Sequence, residues 1–318
     1  MPQGIRFNSI LPANASWPEY LILAGFALNA AVLPLHAWLP DAYPEASVEG
    51  AVFLCAFTTK TAVYVLARGF TGFEILAIMG TAMTVFGVCY AVIENDIRRV
   101  LAYHIISQVG YMVAGVGIGT AMAVNGAAAH AFAHILYKAL LFMGAGSVLY
   151  MTGTAKLSRL GGLYKYMPLT MIFYIVGAVS ISGFPLFSGF VSKSMIVSAA
   201  HHEGRIWLMS LLNLAGIGTF LSVGLKVTYF TFFGKEAAEP LQAKEPPLNM
   251  LWAMGLTALL CLIIGVFPQT LYVLLPFPVE YHPYNPAHLS ESMQILAFTG
   301  LVFYLTVKKL SPEAKLNL

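Results

Sequence analysis

The chain has 318 residues, of which 58% are hydrophobic and 10% are charged, with a formal net charge of +3. Soluble domains carry about 25% charged residues, so this composition and a mean hydropathy of +0.76 exclude an ordinary soluble protein. The scattered basic residues do not predict nucleic-acid binding. No CxxC pair occurs among the cysteines, so neither a metal site nor a disulfide framework is indicated; they are Cys55, Cys89 and Cys261.

Apolar runs separated by polar interruptions predict an all-α, polytopic membrane protein with about nine transmembrane helices. They are expected near residues 20–36, 47–69, 73–93, 100–119, 124–151, 168–200, 207–233, 249–275 and 292–308. The stretch 168–200 contains Gly183, Pro185 and Gly189 and is expected to form a broken helix. The segment LPLHAWLPDAYPEAS is expected to form a rigid turn after the first helix.

The loop charges predict the orientation of these helices. If the first helix runs from outside to inside, only Arg6, Arg68 and Arg205 lie in outside segments. The inside loops and tail then hold ten of the 17 Lys and Arg residues: Arg98, Arg99, Lys156, Arg159, Lys165, Lys235, Lys244, Lys308, Lys309 and Lys315. The positive-inside rule therefore predicts an inner-membrane protein with an outside amino terminus and a cytoplasmic carboxyl terminus. Because no signal peptide opens the chain, further helices are expected upstream.

Three titratable residues share one face of the fifth predicted helix. His130, His134 and Lys138 follow each other at i, i+4 and i+8 in GAAAHAFAHILYKALLF. Neutral imidazole both donates and accepts a proton, and a desolvated lysine releases its proton readily, so this ladder predicts a proton relay. The alternative is that the histidines bond neighbouring helices. Zinc is disfavoured, because no Glu follows the first His as in HExxH and no third ligand is evident.

Further lysines lie inside predicted spans, where a charge costs at least ~2.5–3.5 kcal/mol. Lys193 follows the break in ISGFPLFSGFVSKS and indicates a gate, with snorkelling to the interface as the alternative. Lys60 lies among threonines in TTKTAVY and indicates a buried titratable group; the alternative is a structural bond to carbonyls of an adjacent helix. Lys226 is nearer a helix end, where snorkelling explains it equally well.

One arginine is a candidate for the inner mouth of an ion path. Arg98 begins the span in NDIRRVLAYHIISQVGYM, and a topology anchor explains it as well as a functional role does. No Asp or Glu lies in the middle of a predicted span. The buried lysines therefore rest partly neutral, or a carboxylate partner comes from elsewhere.

Five ordered segments carry a family resemblance: HAWLPDAYPEA, TTKTAVY, NDIRRVLAYHIISQVGYM, HAFAHILYKALLF and GFPLFSGFVSKS. They resemble the antiporter-like subunits shared by respiratory complex I, Mrp-type sodium/proton antiporters and membrane-bound hydrogenase-type complexes, over roughly residues 20–235. The resemblance implies paired inverted five-helix repeats, each with a broken helix and a half-channel. Residues 1–72 would be the remnant of the first repeat, 73–233 a complete second repeat, and 234–318 carboxyl-terminal helices and tail.

The resemblance also implies roles for the candidate residues. Lys60 resembles the central lysine of the first repeat, the histidine and lysine ladder resembles the connecting relay, Lys193 resembles the terminal residue of the second broken helix, and Arg98 matches a position often held by lysine. Two departures stand out. About six helices that usually precede residues 20–36 are absent, and with them a glutamate that pairs with a lysine. That lysine position is Asn29 here, which cannot titrate.

The sequence therefore predicts translocation of H⁺, or of Na⁺ in exchange for H⁺, along Lys60, the ladder and Lys193. The expected partners are other membrane subunits of a complex I-like, Mrp-like or hydrogenase-like assembly. No nucleotide fingerprint, metal cluster or nucleophile constellation appears, so no cofactor is expected and any redox chemistry would belong to partners. The alternative is a non-transporting scaffold subunit of the membrane arm.

Overall fold

The computed structural model describes residue 10 and residues 12–236 and 243–309, and the regular structure there is helical. An isolated bridge joins Asp96 and Lys156 between two loops. The helices in chain order are α1 (Trp17–Asn29), α2 (Trp38–Glu45), α3 (Val48–Phe53), α4 (Thr59–Gly69), α5 (Glu74–Ile93), α6 (Ile97–Ile118), α7 (Ala121–Thr152), α8 (Pro168–Ser182), α9 (Ser188–His202), α10 (Ile206–Thr219), α11 (Leu248–Val266), α12 (Gln269–Tyr272) and α13 (Pro286–Thr306).

Two of the long helices contain π-helical turns. Helices α3 and α4 are joined through Leu54–Thr58, and α10 continues through π-helical turns to Phe233. In the described residues, six helices are long and apolar enough to cross a membrane: Val48–Gly69, Glu74–Ile93, Ile97–Ile118, Ala121–Thr152, Ile206–Phe233 and Leu248–Val266. Each stretch predicted to be helical has a helical counterpart, so the all-α fold with several membrane-length helices is confirmed.

The predicted break in the stretch 168–200 is present. Helix α8 ends at Ser182 and α9 begins at Ser188. Gly183 ends α8 with a positive φ of 76°, which glycine adopts without a steric penalty. Across the break, a Cβ on Gly189 would lie 1.8 Å from the carbonyl oxygen of Ser180, so only glycine allows the two segments to approach this closely.

The first helix is shorter than predicted. It was expected to continue over 20–36, but α1 ends at Asn29, and the next residues form turns that include Ala31 at a φ of 56°. Pro34 has no backbone N–H to continue a helix. The segment expected to be a rigid turn contains the helix Trp38–Glu45, so α1 and α2 form a second broken pair.

The helix expected over 249–275 is also shorter than predicted. It ends at Val266, and the short helix Gln269–Tyr272 comes after it. Pro268 lies between them, and proline commonly follows a helix end because it cannot donate the next hydrogen bond. Between α12 and α13, Asn125 of α7 exchanges two 3.0 Å hydrogen bonds with the backbone of Phe277. This pair fixes the loop against α7.

Helix α6 lies at the centre of the helix bundle, with 94% of its membrane-length window buried inside the protein. It packs closely against α5 through glycines on both helices. A Cβ on Gly80 would lie 2.3 Å from the backbone nitrogen of Ala114, and one on Gly110 would lie 2.5 Å from the carbonyl oxygen of Gly80. These backbones therefore touch without intervening side chains, as small residues allow in membrane helix pairs.

We expect Gly80→Ala to destabilise the folded protein, because the added methyl group meets backbone atoms that cannot move separately. The cost of such overpacking is about 1–3 kcal/mol. Gly300→Ala on α13 is the matched control, since nothing lies within 4 Å of its added Cβ and alanine favours a helix by about 1 kcal/mol. Thermal unfolding of the purified protein in detergent measures both. Equal stability of the two variants would contradict the close α5–α6 contact.

Candidate ion path

Helix α7 carries the predicted ladder through the middle of the protein. The Thr120 side chain caps its first turn by accepting a hydrogen bond from the backbone of Ala123, and Gly153 ends it in the left-handed conformation. His130, His134 and Lys138 are all fully buried. The two imidazole ring centroids are 6.2 Å apart, so the structure places the three predicted groups in one continuous row.

The first histidine of the row has partners on two sides. Its Nδ1 atom lies 2.9 Å from Ser192 Oγ on α9, and its Nε2 atom lies 3.4 Å from the Tyr137 hydroxyl. His130 therefore connects α7 to the helix that carries Lys193. For this residue, bonding to a neighbouring helix and a place in a relay are both compatible with the contacts.

The other two members of the row, His134 and Lys138, differ from His130 in their hydrogen bonds. Within the described residues, neither ring nitrogen of His134 has a hydrogen-bond partner, and the same is true of Lys138 Nζ. The Lys138 ammonium lies 5.8 Å from the centroid of the Phe142 ring, a cation–π distance. A buried polar atom without a partner costs about 1–3 kcal/mol. A histidine or lysine with a purely structural role would form a hydrogen bond and so avoid this cost. Hydrogen bonds to neighbouring helices therefore do not account for these nitrogens in the described residues.

Lys193 lies directly beside the helix break. Its Nζ donates a 2.6 Å hydrogen bond to the carbonyl oxygen of Ile181, which is accessible because α8 ends at Ser182. The same ammonium lies 5.2 Å from the ring centroid of Tyr111 on α6. The side chain is 7% exposed, so it does not reach the interface by snorkelling.

An open cleft of about 90 Å³ leads to Lys193 between α9, α10 and α13. Its lining includes Ser194, His288 and Glu291. Glu291 is a carboxylate that the sequence did not connect with any lysine, because the last helix was expected to begin at residue 292. The structure begins this helix at Pro286, which brings Glu291 into the same cleft as Lys193.

Lys60 binds carbonyl and hydroxyl oxygens of its own helix. Its Nζ donates to the carbonyl oxygen of Cys55 at 2.6 Å and to Thr59 Oγ1 at 3.2 Å. Cys55 lies in the π-helical turn Leu54–Thr58, where the wider turn leaves this carbonyl available to a side chain. These two hydrogen bonds of Lys60 are therefore not to an adjacent helix, which was the alternative interpretation of this lysine.

Arg98 and Lys226 bind the ends of helices. The Arg98 guanidinium donates to the carbonyl oxygens of Tyr43, Ala46 and Ser47, at 3.3, 2.7 and 3.2 Å, where α2 ends. Lys226 Nζ donates to the carbonyl oxygens of Val92 and Glu94, each at 2.6 Å, where α5 ends. These contacts favour the anchor interpretation of Arg98 and account for the buried Lys226. Asn29 is exposed at the end of α1.

Two tyrosines of the site were not identified from the sequence. The ring of Tyr111 lies below Lys193 and beside His130, with a ring-centroid distance of 5.7 Å to the imidazole. Tyr137 lies beside both His130 and His134, at ring-centroid distances of 6.2 and 5.2 Å. Tyr137 follows His130 by seven residues, a spacing that places both on one helix face and would have identified it.

The comparison with known families agrees with this geometry. Residues 7–221 match the family model described as "NADH:quinone oxidoreductase/Mrp antiporter, TM". The chain belongs to this family. The expected resemblance to antiporter-like membrane subunits is thereby confirmed, and with its membrane-length helices the chain is a multi-pass membrane protein.

Individual members of the family cover the same region. The chain is 34% identical to a Na(+)/H(+) antiporter subunit of Alkalihalophilus pseudofirmus, over 79% of this chain and 53% of that protein. It is 32% identical to a subunit of the F(420)H(2) dehydrogenase of Methanosarcina mazei, over 79% of this chain and 40% of that protein. The chain therefore spans about half the length of these curated relatives, or less.

Solved structures share the arrangement of the helices. A chain of the Mrp complex from Dietzia sp. DQ12-45-1b superposes with a TM-score of 0.74 at 27% identity, covering 79% of this chain and 56% of that one. A chain of the membrane-bound sulfane sulfur reductase, an archaeal respiratory membrane complex, superposes with a TM-score of 0.77 at 27% identity, covering 94% of this chain and 54% of that one. The similarity thus includes helices beyond residue 221.

We expect Arg98→Ala to lower the yield of folded protein, because the carbonyl oxygens of Tyr43 and Ala46 at the end of α2 lose the guanidinium as a donor. Each buried group left unsatisfied costs on the order of 1–3 kcal/mol. Arg99→Ala is the control, since Arg99 is half-exposed and pairs with Glu94 at 3.1 Å at the surface. Size-exclusion profiles of the solubilised variants measure the folded fraction. A well-folded Arg98→Ala protein that has lost transport would instead support a place for Arg98 in the path.

Proposed function

We propose that the chain translocates protons, or sodium ions in exchange for protons, as an antiporter-like subunit of a multisubunit membrane complex. The observation that carries this proposal is the row of buried titratable groups on α7, in which His134 and Lys138 keep nitrogens without a hydrogen-bond partner in the described structure. Relatives that are named Na(+)/H(+) antiporter subunits support it. The proposed path runs through Lys60, the ladder and Lys193, with Arg98 at its inner mouth.

Electrostatics couples the steps along this path. A positive charge on one buried lysine disfavours a positive charge on the next, since Coulomb interactions are strong where water is excluded. A proton that arrives at Lys138 or at a ladder histidine therefore promotes release from Lys193. Ser192, which contacts His130, lies next to Lys193 in the chain, so α9 both contacts the ladder and carries Lys193.

The cleft beside Lys193 provides the exit. In the proposed orientation the amino terminus is outside the inner membrane and the carboxyl terminus is cytoplasmic, and the first turns of α13 then lie on the outer side. His288 and Glu291 are in those turns and line the cleft with Lys193. A carboxylate there attracts the cation that Lys193 releases.

The chain would work with partners. Relatives include subunits of an antiporter and of an F(420)H(2) dehydrogenase, and a similar chain belongs to a sulfane sulfur reductase complex. We propose an assembly of the Mrp, complex I or hydrogenase type, in which any redox chemistry and any cofactor belong to other subunits. The division into a partial first repeat, residues 1–72, and a complete second repeat, residues 73–233, is part of this proposal.

One observation favours a second candidate function, a scaffold that seals or docks a membrane arm without transport. Asn29 occupies the position that the resemblance assigns to a lysine, and its side chain is exposed at the end of α1. An amide cannot exchange protons at physiological pH. In that case Lys60, Lys193 and Lys226 would serve only to bind helix carbonyls.

We expect Lys193→Ala to abolish coupled ion transport while the complex still assembles, because within the described residues the ammonium donates to a single carbonyl at a helix end and lines the cleft. Lys165→Ala is the control, since Lys165 is exposed and pairs with Glu236 at the surface. Ion flux in vesicles that contain the native complex measures transport, and native gel electrophoresis measures assembly. Loss of the assembled complex would make Lys193 structural.

A double substitution separates the two candidate functions. If the chain is a transporter, His134→Ala combined with Lys193→Ala removes one group of the ladder and the gate, and flux falls to the background of empty vesicles. Unchanged flux in an assembled complex would establish the scaffold function. Assembly is measured on the same vesicles, so a folding defect is recognised directly.

A further inference from the structure

A second row of buried polar side chains runs beside the ladder, on α6 and α10. His104 and Gln108 lie one turn apart on the same face of α6, and both are fully buried. His104 Nε2 lies 2.6 Å from Ser222 Oγ, and Gln108 Nε2 lies 3.5 Å from Thr219 Oγ1. Thr219 and Ser222 are where α10 passes into its π-helical turns, a feature frequent at functional sites.

The hydrogen bonds around His104 determine its tautomer. The Ser222 hydroxyl donates its single proton to the carbonyl oxygen of Gly218 at 2.6 Å, so it accepts from His104 Nε2–H. The neutral imidazole then has an unprotonated Nδ1, and this atom is buried without a partner in the described structure. His104 can thus accept a proton on Nδ1 and release the one on Nε2.

This second row leads toward the side where α5 ends. Lys226 follows Ser222 by one turn of α10, and its Nζ reaches the last carbonyls of α5 at Val92 and Glu94. Glu94 is beyond the end of α5 and pairs with Arg99 at the surface. In the proposed orientation this is the cytoplasmic side, opposite to the cleft at Lys193.

The two rows meet at the Tyr137 hydroxyl. This hydroxyl donates to Gln108 Oε1 at 3.4 Å and lies 3.4 Å from His130 Nε2. A hydroxyl has one proton, so it bonds Gln108 only while His130 Nε2 is protonated, and it turns to His130 when that atom is unprotonated. The Gln108 amide does not relay protons. The Tyr137–Gln108 contact therefore separates the two rows while His130 Nε2 is protonated, and it breaks when that atom is unprotonated.

We propose that His104 is a further proton-binding residue, on a branch from the cytoplasmic side through Lys226 and Ser222, and that the Tyr137–Gln108 contact is its gate. When the Tyr137–Gln108 contact is broken, water beside Tyr137 carries protons from His104 to the Tyr137 hydroxyl. The hydroxyl gives its own proton to His130 Nε2 and takes one from the water in its place, and the ladder carries the proton on to Lys193. This inference rests on the proposed transport function. The branch gives the proton path an inlet within this chain, and this inlet does not use Lys60 or Asn29.

Chemical rescue tests whether His104 carries protons. We expect His104→Ala to reduce proton flux by at least ~10-fold, as loss of a positioned acid–base group does, and added imidazole to restore part of it. His104→Gln keeps a hydrogen-bond donor toward Ser222 but cannot titrate, so it should assemble normally and transport as poorly as His104→Ala. Wild-type flux in assembled His104→Gln, or no rescue of assembled His104→Ala by imidazole, would overturn the proposal.

Cysteine labelling tests, independently of transport, from which side of the membrane the branch is reached. In a chain with Cys55, Cys89 and Cys261 replaced by alanine, we expect Ser222→Cys to react with a charged methanethiosulfonate added from the cytoplasmic side only, measured as a mass shift. Ser147→Cys on α7 is the control, because Ser147 is equally buried and lies outside the branch. Labelling from the outer side, or no more labelling than in the control, would overturn the inlet.

The same variants distinguish a wrong branch at His104 from a wrong transport function. If Lys193→Ala stops transport while His104→Ala and His104→Gln leave it unchanged, the branch is wrong and the transport function stands. If none of these substitutions changes flux in the assembled complex, the transport function itself is wrong.

Discussion

The structure depends on how backbone carbonyl oxygens hold a cation inside a membrane protein. Lys60, Lys193, Lys226 and Arg98 are all buried, and each donates to backbone carbonyls. Those carbonyls are available only where a helix ends, breaks or widens, because inside a regular helix each one already accepts a hydrogen bond. The carboxyl-terminal end of a helix also carries partial negative charge, which stabilises a cation. The helix irregularities and the buried cations therefore occur together.

Lys138 departs from this pattern within the described part of the chain. It lies in the long regular helix α7, where no carbonyl is free, and its ammonium faces the Phe142 ring instead. His134, one turn earlier, likewise has no partner there. A side chain without hydrogen bonds can gain or lose a proton without breaking a bond that stabilises the fold. In the proposed path, this difference separates the lysines bonded to carbonyls at the two ends of the row from the proton-exchanging groups between them.

Rigid packing surrounds this row. Helix α6 touches α5 through backbone atoms at Gly80 and Gly110, so α6 has little freedom to shift. His104 and Gln108 on this helix contact Ser222 and Thr219, so in the proposed path a proton would move by side-chain rotation rather than by a shift of α6. The π-helical turns after α10 bring the Ser222 hydroxyl to the His104 imidazole. The break between α8 and α9 places Lys193 at the inner end of an open cleft.

Composition and periodicity alone predicted much of this molecule. The apolar runs predicted the all-α membrane fold, the spacing of His130, His134 and Lys138 predicted their common face, and Gly183 with Pro185 predicted the broken helix. These are local properties, set by hydrophobicity, by helix periodicity and by the lack of a proline N–H. The ordered motifs predicted the family.

Only the tertiary structure decided which atom each cation binds. The end of α1 at Asn29, the contacts of Arg98 with the end of α2, the cleft that joins Lys193 with Glu291, and the row at His104 all depend on residues distant in the chain. Helix periodicity places a side chain on a face but does not say which helix covers that face. Hydrogen bonds between helices arise only from packing, so the division into carbonyl-bonded and proton-exchanging groups of the proposed path required the fold.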